Sequence, residues 1–297
     1  MHEHLVRRVS LSARLIWAAS LVGVALIFAM PAHADPFNLP NFTVFGTQSV
    51  TINDSLDENT LCITGNVGTG GTSVGDLSLN KCQVNGSLSV TTGGVLSLGS
   101  HGAFSGSLVT GNLSGVGATI SSVSASLNGL SANQTISGDL TSNMTFHNNS
   151  TTGGTDVIDI TGNVALNGNT LTFVAANASD KFVVNVGGNF NFAQSIISMS
   201  GFSNADQLIF NITDSCSSVA EINKGTSVFS GILLAPECDI RVHNQLTFAG
   251  ELFGENVTID SAAKLKQPLP AVPEPGTLAL LGTGLLGFAA VRRRLAS

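Results

Sequence analysis

The chain has 297 residues, a formal net charge of −7 at pH 7 and only 10% charged residues. An acidic protein with few cations repels the phosphate backbone, so this composition excludes nucleic acid as a partner. Apolar residues make up 43% of the chain and recur in short alternating runs, which also excludes intrinsic disorder.

The N-terminus predicts an export signal. A basic start, with Arg7 and Arg8, precedes an apolar stretch from Leu15 to Met30, and Ala32 and Ala34 then form the small-x-small pattern that signal peptidase cuts. A twin-arginine signal and a retained N-terminal membrane anchor are the alternatives. We expect ordinary secretion, because no cofactor motif follows that would require export of a folded protein. Residues 35–267 would then form the exported domain.

A turn-then-strand phrase recurs along this domain. Glycine followed by Asn, Asp or Ser and then by an apolar residue is typical of a turn that feeds a strand. The phrase begins at Gly65, Gly75, Gly86, Gly106, Gly111, Gly138, Gly162 and Gly188. The strands alternate apolar and hydroxylic residues, and phrases recur after roughly ten residues or after roughly twenty to twenty-seven, as expected for stacked coils. We predict an all-β β-solenoid, right- or left-handed, with a β-sandwich as the alternative.

One stretch has a different period. From Thr119 to Ser131 the apolar residues fall on one stripe of a helix, at positions Ile120, Val123, Leu127 and Leu130. We predict an α-helix that lies along the side of the solenoid and is held there by packing, because its glycine and serines make it weak in isolation.

The four cysteines, Cys62, Cys82, Cys216 and Cys238, all lie in the exported domain. An even number of cysteines in an oxidising compartment indicates disulfides. Three connectivities are possible. The sequence separations favour Cys62 with Cys82 and Cys216 with Cys238, because coils of about twenty residues would place each pair on adjacent rungs.

Patterns of catalytic or metal-binding residues are weak. The histidines of the exported domain, His101, His147 and His243, lack a metal ligand at a suitable spacing along the sequence, and we interpret them as surface or turn residues. Two acidic groups could bind calcium, although neither has the spacing of a known calcium loop. These groups are Asp54, Asp57 and Glu58, and Asp156 with Asp159. We expect no cofactor, no metal and no enzymatic activity.

The C-terminus combines three parts in a fixed order. Pro273, Glu274 and Pro275 precede an apolar run from Thr277 to Val291, and Arg292, Arg293 and Arg294 follow it. The prolines predict an extended spacer, the apolar run a membrane helix, and the arginines a stop on the cytoplasmic side. Over residues 268–297 this ending resembles the PEP-CTERM sorting signal of Gram-negative bacteria. The resemblance implies membrane anchoring before cleavage by an exosortase-type transpeptidase, and localisation in the cell envelope or on the cell surface.

A second resemblance covers most of residues 41–260. It rests on the segments 41–46, 229–236 and 248–254, on the glycine-rich turns, and on the predicted helix before Gly138. Together they look like the choice-of-anchor A family of secreted surface proteins and, more distantly, like the ice-binding β-helix fold. The resemblance implies a surface protein that acts by binding.

Three function classes remain. The first, which we favour from the sequence, is a structural or adhesive protein of the extracellular matrix or envelope that binds polysaccharide or neighbouring cells through a repetitive face. The second is an ice-binding protein, in which Thr145, Thr172, Thr247 and Thr258 could form a flat column if their strands stack. The third is a carbohydrate-active β-helix enzyme, which the dispersed acidic residues disfavour.

Overall fold

The computed structural model describes residues 37–53, 60–70, 76–148, 154–213, 219–223, 227–243, 246–260 and 264–266. The chain divides into two compact units, Met1–Ala34 and Asp35–Ser297, and the described residues all belong to the second. Within these ranges no helix has the length and hydropathy needed to cross a membrane. The apolar stretches at the two termini, Leu15 to Met30 and Thr277 to Val291, which we predict to be hydrophobic helices, lie outside these ranges.

The described residues form 23 strands, one α-helix and one short 3₁₀ turn, Ala205–Gln207. In chain order the first strands are β1 (Val44–Asn53), β2 (Thr60–Thr64), β3 (Val67–Thr69), β4 (Asp76–Asn80), β5 (Cys82–Asn85), β6 (Leu88–Thr91), β7 (Leu96–Leu98), β8 (Ala103–Phe104) and β9 (Leu108–Gly111). The helix, α1 (Ser114–Asn128), follows. The remaining strands are β10 (Gln134–Ile136), β11 (Met144–His147), β12 (Thr155–Ile160), β13 (Val164–Asn167), β14 (Thr170–Val174), β15 (Lys181–Val186), β16 (Phe190–Ala193), β17 (Ile196–Ser200), β18 (Leu208–Ile212), β19 (Ala220–Asn223), β20 (Ser227–Ala235), β21 (Ile240–His243), β22 (Leu246–Asp260) and β23 (Lys264–Lys266).

The strands pair in parallel with strands one coil away, which confirms the predicted solenoid. Three faces result. The helix-covered face consists of β10, β12, β15, β18, the second half of β20, the middle of β22, the first half of β1, β3, β6 and β9. The mixed-charge face consists of β13, β16, β19, β21, the last part of β22, the second half of β1, β4 and β7. The hydroxyl face consists of β11, β14, β17, the first parts of β20 and β22, β23, β2, β5 and β8.

The coils do not stack in chain order. The first strand, β1, pairs with β22 on one side and with β3 and β4 on the other, so the coils formed by β1–β9 continue from the last coil of the chain. Strands β9 and β10 are consecutive in the sequence yet lie at opposite ends of the stack. Helix α1 connects them, which explains why one helical stretch interrupts the repetitive sequence.

Helix α1 confirms the predicted helix with different limits. It begins at Ser114, before the predicted Thr119, because Leu113 and Val116 also pack against the second hydrophobic cluster. It ends at Asn128, and the N–H of Gly129 donates to the carbonyl of Ala125. Leu130, which we assigned to the buried stripe, therefore lies outside the helix and is 41% exposed.

A buried polar network holds α1 on the solenoid. The Asn211 side-chain amide donates to the Ser124 carbonyl at 3.1 Å and to Asn185 Oδ1 at 2.9 Å, and Ser124 Oγ donates to Asn211 Oδ1 at 2.7 Å. One coil along, the Asn185 amide donates to the Leu127 carbonyl at 3.2 Å and to Asp159 Oδ1 at 3.1 Å. Stacked asparagines thus satisfy one another and the helix backbone, which makes their burial tolerable.

The core has two layers. The larger cluster fills the solenoid, and the smaller one lies between α1 and the helix-covered face, where Ile120 and Leu127 meet Val183, Ile209 and Ile232. The residues of both clusters lie between Phe37 and Leu265. Among the described residues, the core therefore extends through the whole stack of coils.

A glycine corner joins the hydroxyl face to the helix-covered face. Strands β20 and β22 pass from one face to the other at Gly231 and Gly250, which stack in register with φ angles of 127° and 153°. A Cβ atom on Gly250 would collide with the Gly231 carbonyl oxygen of the neighbouring coil. Only glycine therefore fits this corner.

A disulfide joins Cys62 and Cys82 on adjacent coils, with a Cα–Cα distance of 5.6 Å, and confirms that predicted pair. Cys238 is also disulfide-bonded. Its predicted partner, Cys216, lies outside the described residues, so that pairing stays a prediction.

Candidate binding surface

The hydroxyl face has a regular stretch of five coils, β11, β14, β17 and the first parts of β20 and β22. Thr145 pairs with Thr172, which pairs with Ser198. Two residues earlier on the strands, a parallel column runs through Thr170, Ile196, Val228 and Thr247. Because parallel strands are spaced roughly 4.8 Å apart, the outward side chains form a regular array.

The chemistry of this stretch is neutral. Its outward residues carry hydroxyl and methyl groups, and the five strand segments contain no Asp, Glu, Lys or Arg. Thr145, Thr247 and Ile196 are exposed, while Thr172, Ser198 and Val228 are half-buried by their neighbours. One ionisable side chain, the exposed His147, lies at the end of the stretch.

Buried phenylalanines support the face from inside. Phe146 stacks on Phe173 with ring centroids 5.0 Å apart, and Phe229 stacks on Phe248 at 4.9 Å. All four rings are at most 2% exposed. Rings stacked beneath successive coils leave little freedom for the strands above them, so the outward groups are held in fixed positions.

Unlike the hydroxyl face, the mixed-charge face carries a cluster of ionisable side chains near the centre of the stack. His243 lies between two carboxylates, with Nε2 3.8 Å from Glu221 Oε1 and Nδ1 3.4 Å from Asp260 Oδ2. Arg241 pairs in register with Glu221 on the next coil. Sequence reasoning missed this cluster, because its members are far apart along the chain and only the stacking of coils brings them together.

The four candidate threonines do not form one column. Thr145 and Thr172 are paired, and Thr247 lies on the same face but two positions earlier along its strand. Thr258 lies on the mixed-charge face, between Thr51 and Arg241. The sequence missed Ile196, because an apolar residue next to Ile197 suggests a core position.

The candidate calcium ligands do not assemble in the part of the chain that is described. Asp156 and Asp159 are three residues apart in β12, so their side chains lie on opposite sides of the strand. Asp159 accepts a hydrogen bond from Asn185. Asp156 accepts one from Gln134 at 3.1 Å. Burial raises the pKa of Asp156, and the Gln134 hydrogen bond opposes this in part. Within the described ranges no group of three potential ligands could hold a metal ion, and Asp54, Asp57 and Glu58 lie outside them.

The sequence and the fold both have recognisable relatives. Residues 34–265 match the model of a family described as an ice-binding-like adhesive domain, and residues 271–294 match the PEP-CTERM protein-sorting motif. That motif indicates export and surface sorting in Gram-negative bacteria, with processing by an exosortase. No curated protein matches the chain. Resemblance to the choice-of-anchor A family remains a prediction.

Similar solved structures are ice-binding proteins. One, from the Antarctic ascomycete Antarctomyces psychrotrophicus, is 21% identical with a TM-score of 0.50 and covers 76% of this chain and 93% of its own. Another, from an Arctic yeast, is 14% identical with a TM-score of 0.54 and covers 79% and 94%. A domain from Shewanella frigidimarina is 16% identical with a TM-score of 0.52 and covers 80% and 98%. At these identities the likeness shows a shared β-helix fold.

Proposed function

The chain belongs to the family of ice-binding-like adhesive domains, and we propose that it is a surface-sorted adhesin that binds ice through the hydroxyl face. The observation that carries the proposal is the neutral stretch of five coils, in which outward methyl and hydroxyl groups lie side by side without a charged side chain. The ice-binding activity named for the similar structures supports it. No catalytic residue is assigned, because the proposed activity is binding.

The physical reason is the match between a neutral, repetitive surface and a neutral, repetitive partner. Ice presents a periodic array of oxygen atoms without net charge, whereas a charged side chain would hold its own hydration shell and keep the surfaces apart. Hydroxyl groups can join the hydrogen-bond array, and methyl groups can fill the spaces between its oxygens. Each contact contributes only about 1 kcal/mol, so binding needs several coils at once.

The test compares two matched serines. Ser198 lies at the centre of β17 on the hydroxyl face, and Ser78 lies at the centre of β4 on the mixed-charge face; both are half-buried. In a fragment of residues 35–271, Ser198→Lys should lower ice affinity at least tenfold, because a lysine in the array prevents close contact, a cost of about 1.4 kcal/mol or more. Ser78→Lys should retain it. Ice-affinity partitioning and the shaping of single ice crystals measure the effect.

Equal ice affinities of the two lysine variants would contradict the assignment of the face. An unsubstituted fragment that stays in the liquid phase would contradict ice binding itself. Thr172→Ala serves as a milder variant, for which a loss of roughly fivefold is expected because one hydrogen bond of about 1 kcal/mol is removed.

A second candidate is attachment to matrix polysaccharide or to neighbouring cells, which we favoured from the sequence. The surface-sorting motif supports it, because a sorted protein is positioned to meet the matrix. The hydroxyl stretch has no outward aromatic ring on which a sugar could stack, since its phenylalanines are buried. Co-sedimentation of the fragment with purified matrix polysaccharide, together with absence of ice binding, would favour this candidate.

A further inference from the structure

Among the described residues, one end of the solenoid is a coil that no further strand covers. Strands β7, β8 and β9 form the last coil at this end, and in the described part of the chain each has a single strand neighbour, β4, β5 and β6 respectively. Their other edges carry backbone N–H and C=O groups without a strand partner. Such an edge is a ready template for pairing with another strand.

The same end exposes the open end of the core. Leu108 continues the inward column of Val67 and Leu88, yet it is 46% exposed because no further coil of the described chain covers it. Leu98 is also 46% exposed, and Val95 beside it is 59% exposed. Terminal coils of solenoids usually carry a polar outer surface, whereas this coil also leaves these three large apolar side chains exposed.

The terminal coil itself contains no charged side chain, although Asp76 on the preceding coil accepts a hydrogen bond from the Val95 N–H at 3.0 Å. From Cys82 to Gly138 the sequence contains no Asp, Glu, Lys or Arg, although the chain has 31 such residues in total. Natural edge strands are usually protected from association by charged side chains or proline, and neither occurs in β7, β8 or β9. Two copies of this acidic protein could therefore approach through this end with little like-charge repulsion, because the terminal coils that would meet are neutral.

We infer that this end is a self-association surface whose partner is the same end of a second copy of the chain. A two-fold axis perpendicular to the solenoid axis places the edges of the two terminal coils antiparallel, so that their backbone groups can pair. The inward leucines of each copy then cover those of the other. The terminal coil offers apolar and backbone groups but no charged side chain of its own, and a surface of this kind is complementary to itself.

The test measures association of residues 35–271 by analytical ultracentrifugation, with the full chain in mild detergent measured in parallel. The unsubstituted protein should form a dimer. Leu98→Lys should weaken the dimer by at least about 100-fold, because the two-fold axis brings the introduced lysines of both copies into one interface. Val95→Lys, at a more exposed position outside the strands, should act in the same direction if Leu98→Lys disturbs folding.

Two control variants keep the result specific. Leu61→Lys changes a leucine with the same 46% exposure in β2, away from this end, and should leave the dimer intact. Leu130→Lys changes a 41% exposed leucine just before β10, at the other end. A monomer at all concentrations, a dimer that survives both end variants, or a dimer lost in Leu130→Lys would each overturn the inference. Polymers longer than two would also overturn it, because two-fold pairing closes at the dimer.

Discussion

Asp180 is the buried carboxylate that fixes the turn between β14 and β15. Its oxygens accept hydrogen bonds from the N–H groups of Ala176 and Asn177, both at 2.8 Å, and of Gly154 at 3.1 Å. Burial by itself would raise the pKa of Asp180, but the hydrogen bonds from Asn177, Gly154 and Ala176 together outweigh it and lower the pKa. Asp156 is the opposite case, since burial raises its pKa and the hydrogen bond from Gln134 only partly opposes this.

These opposite shifts predict opposite effects of the same substitution. Asp180→Asn should lower the free energy of unfolding at pH 7 by about 2 kcal/mol, because at least one buried N–H loses its acceptor. Asp156→Asn should leave it unchanged or raise it, because the neutral amide avoids burial of a charge. Urea denaturation at pH 7 measures both variants, and equal losses would contradict the assignment.

The pH dependence follows from the same shifts. The folded pKa of Asp180 lies below its usual 3.8, so its contribution to stability is present above that value and is lost as the pH falls through the folded pKa. The folded pKa of Asp156 lies above 3.8, so its ionisation costs stability at higher pH, and this cost disappears on acidification. The deficit of Asp180→Asn relative to the unsubstituted protein should therefore shrink below pH 4.

At the scale of the element, packing and not propensity holds helix α1. Ile120 is fully buried between the helix and the solenoid, whereas its neighbour Thr119 is exposed. Ile120→Ala should lower the free energy of unfolding by about 3 kcal/mol, because it removes buried methyl groups and leaves a cavity. Thr119→Ala, also a β-branched residue, should change it by less than about 0.5 kcal/mol. Urea midpoints of the two variants provide the comparison, and similar midpoints would show that the helix is not held by this face.

The elements were predictable where one local pattern determines them. The stripe of Ile120, Val123 and Leu127 indicated the helix, and the glycine phrases indicated short strands in coils. The start of α1 was not predictable, because Gly115 and Gly117 disfavour a helix that only contact with the solenoid stabilises. The cluster around His243 also depends on register between coils, which a single sequence does not specify.

At the scale of the whole molecule, the order of the coils could not be read from the sequence. Repeats suggest that each coil stacks on the one before it, but β1 packs against β22 and the chain returns along α1. Among the described strands, β22 is the one that contributes to all three faces, and its pairing with β1 joins the early coils to the late coils. Such a contact joins residues more than two hundred positions apart, and no local pattern encodes it.

Sorting is the prediction that concerns the whole chain. The matched motif contains Glu274 between two prolines, and Arg292 to Arg294 follow the apolar run. We expect Glu274→Gln to block processing while the protein stays membrane-held, because recognition is lost but the apolar run remains. Neutral residues in place of the three arginines should release the tail, because the charges that stop translocation are gone. Mass spectrometry and membrane fractionation measure the outcome, and normal maturation of Glu274→Gln would contradict the role of the motif.

The position of β23 has a mechanical consequence. This last described strand lies between β22 and β2, in the interior of the stack, and β1 lies beside the same coil. A force applied through Lys266 is therefore transmitted to strands near the middle of the solenoid and not to a terminal coil. Peeling would have to start between strands that are flanked on both sides, next to the coils that the Cys62–Cys82 disulfide ties together. We therefore expect the fold to resist unfolding under tension, because the strand that carries the force is paired on both sides.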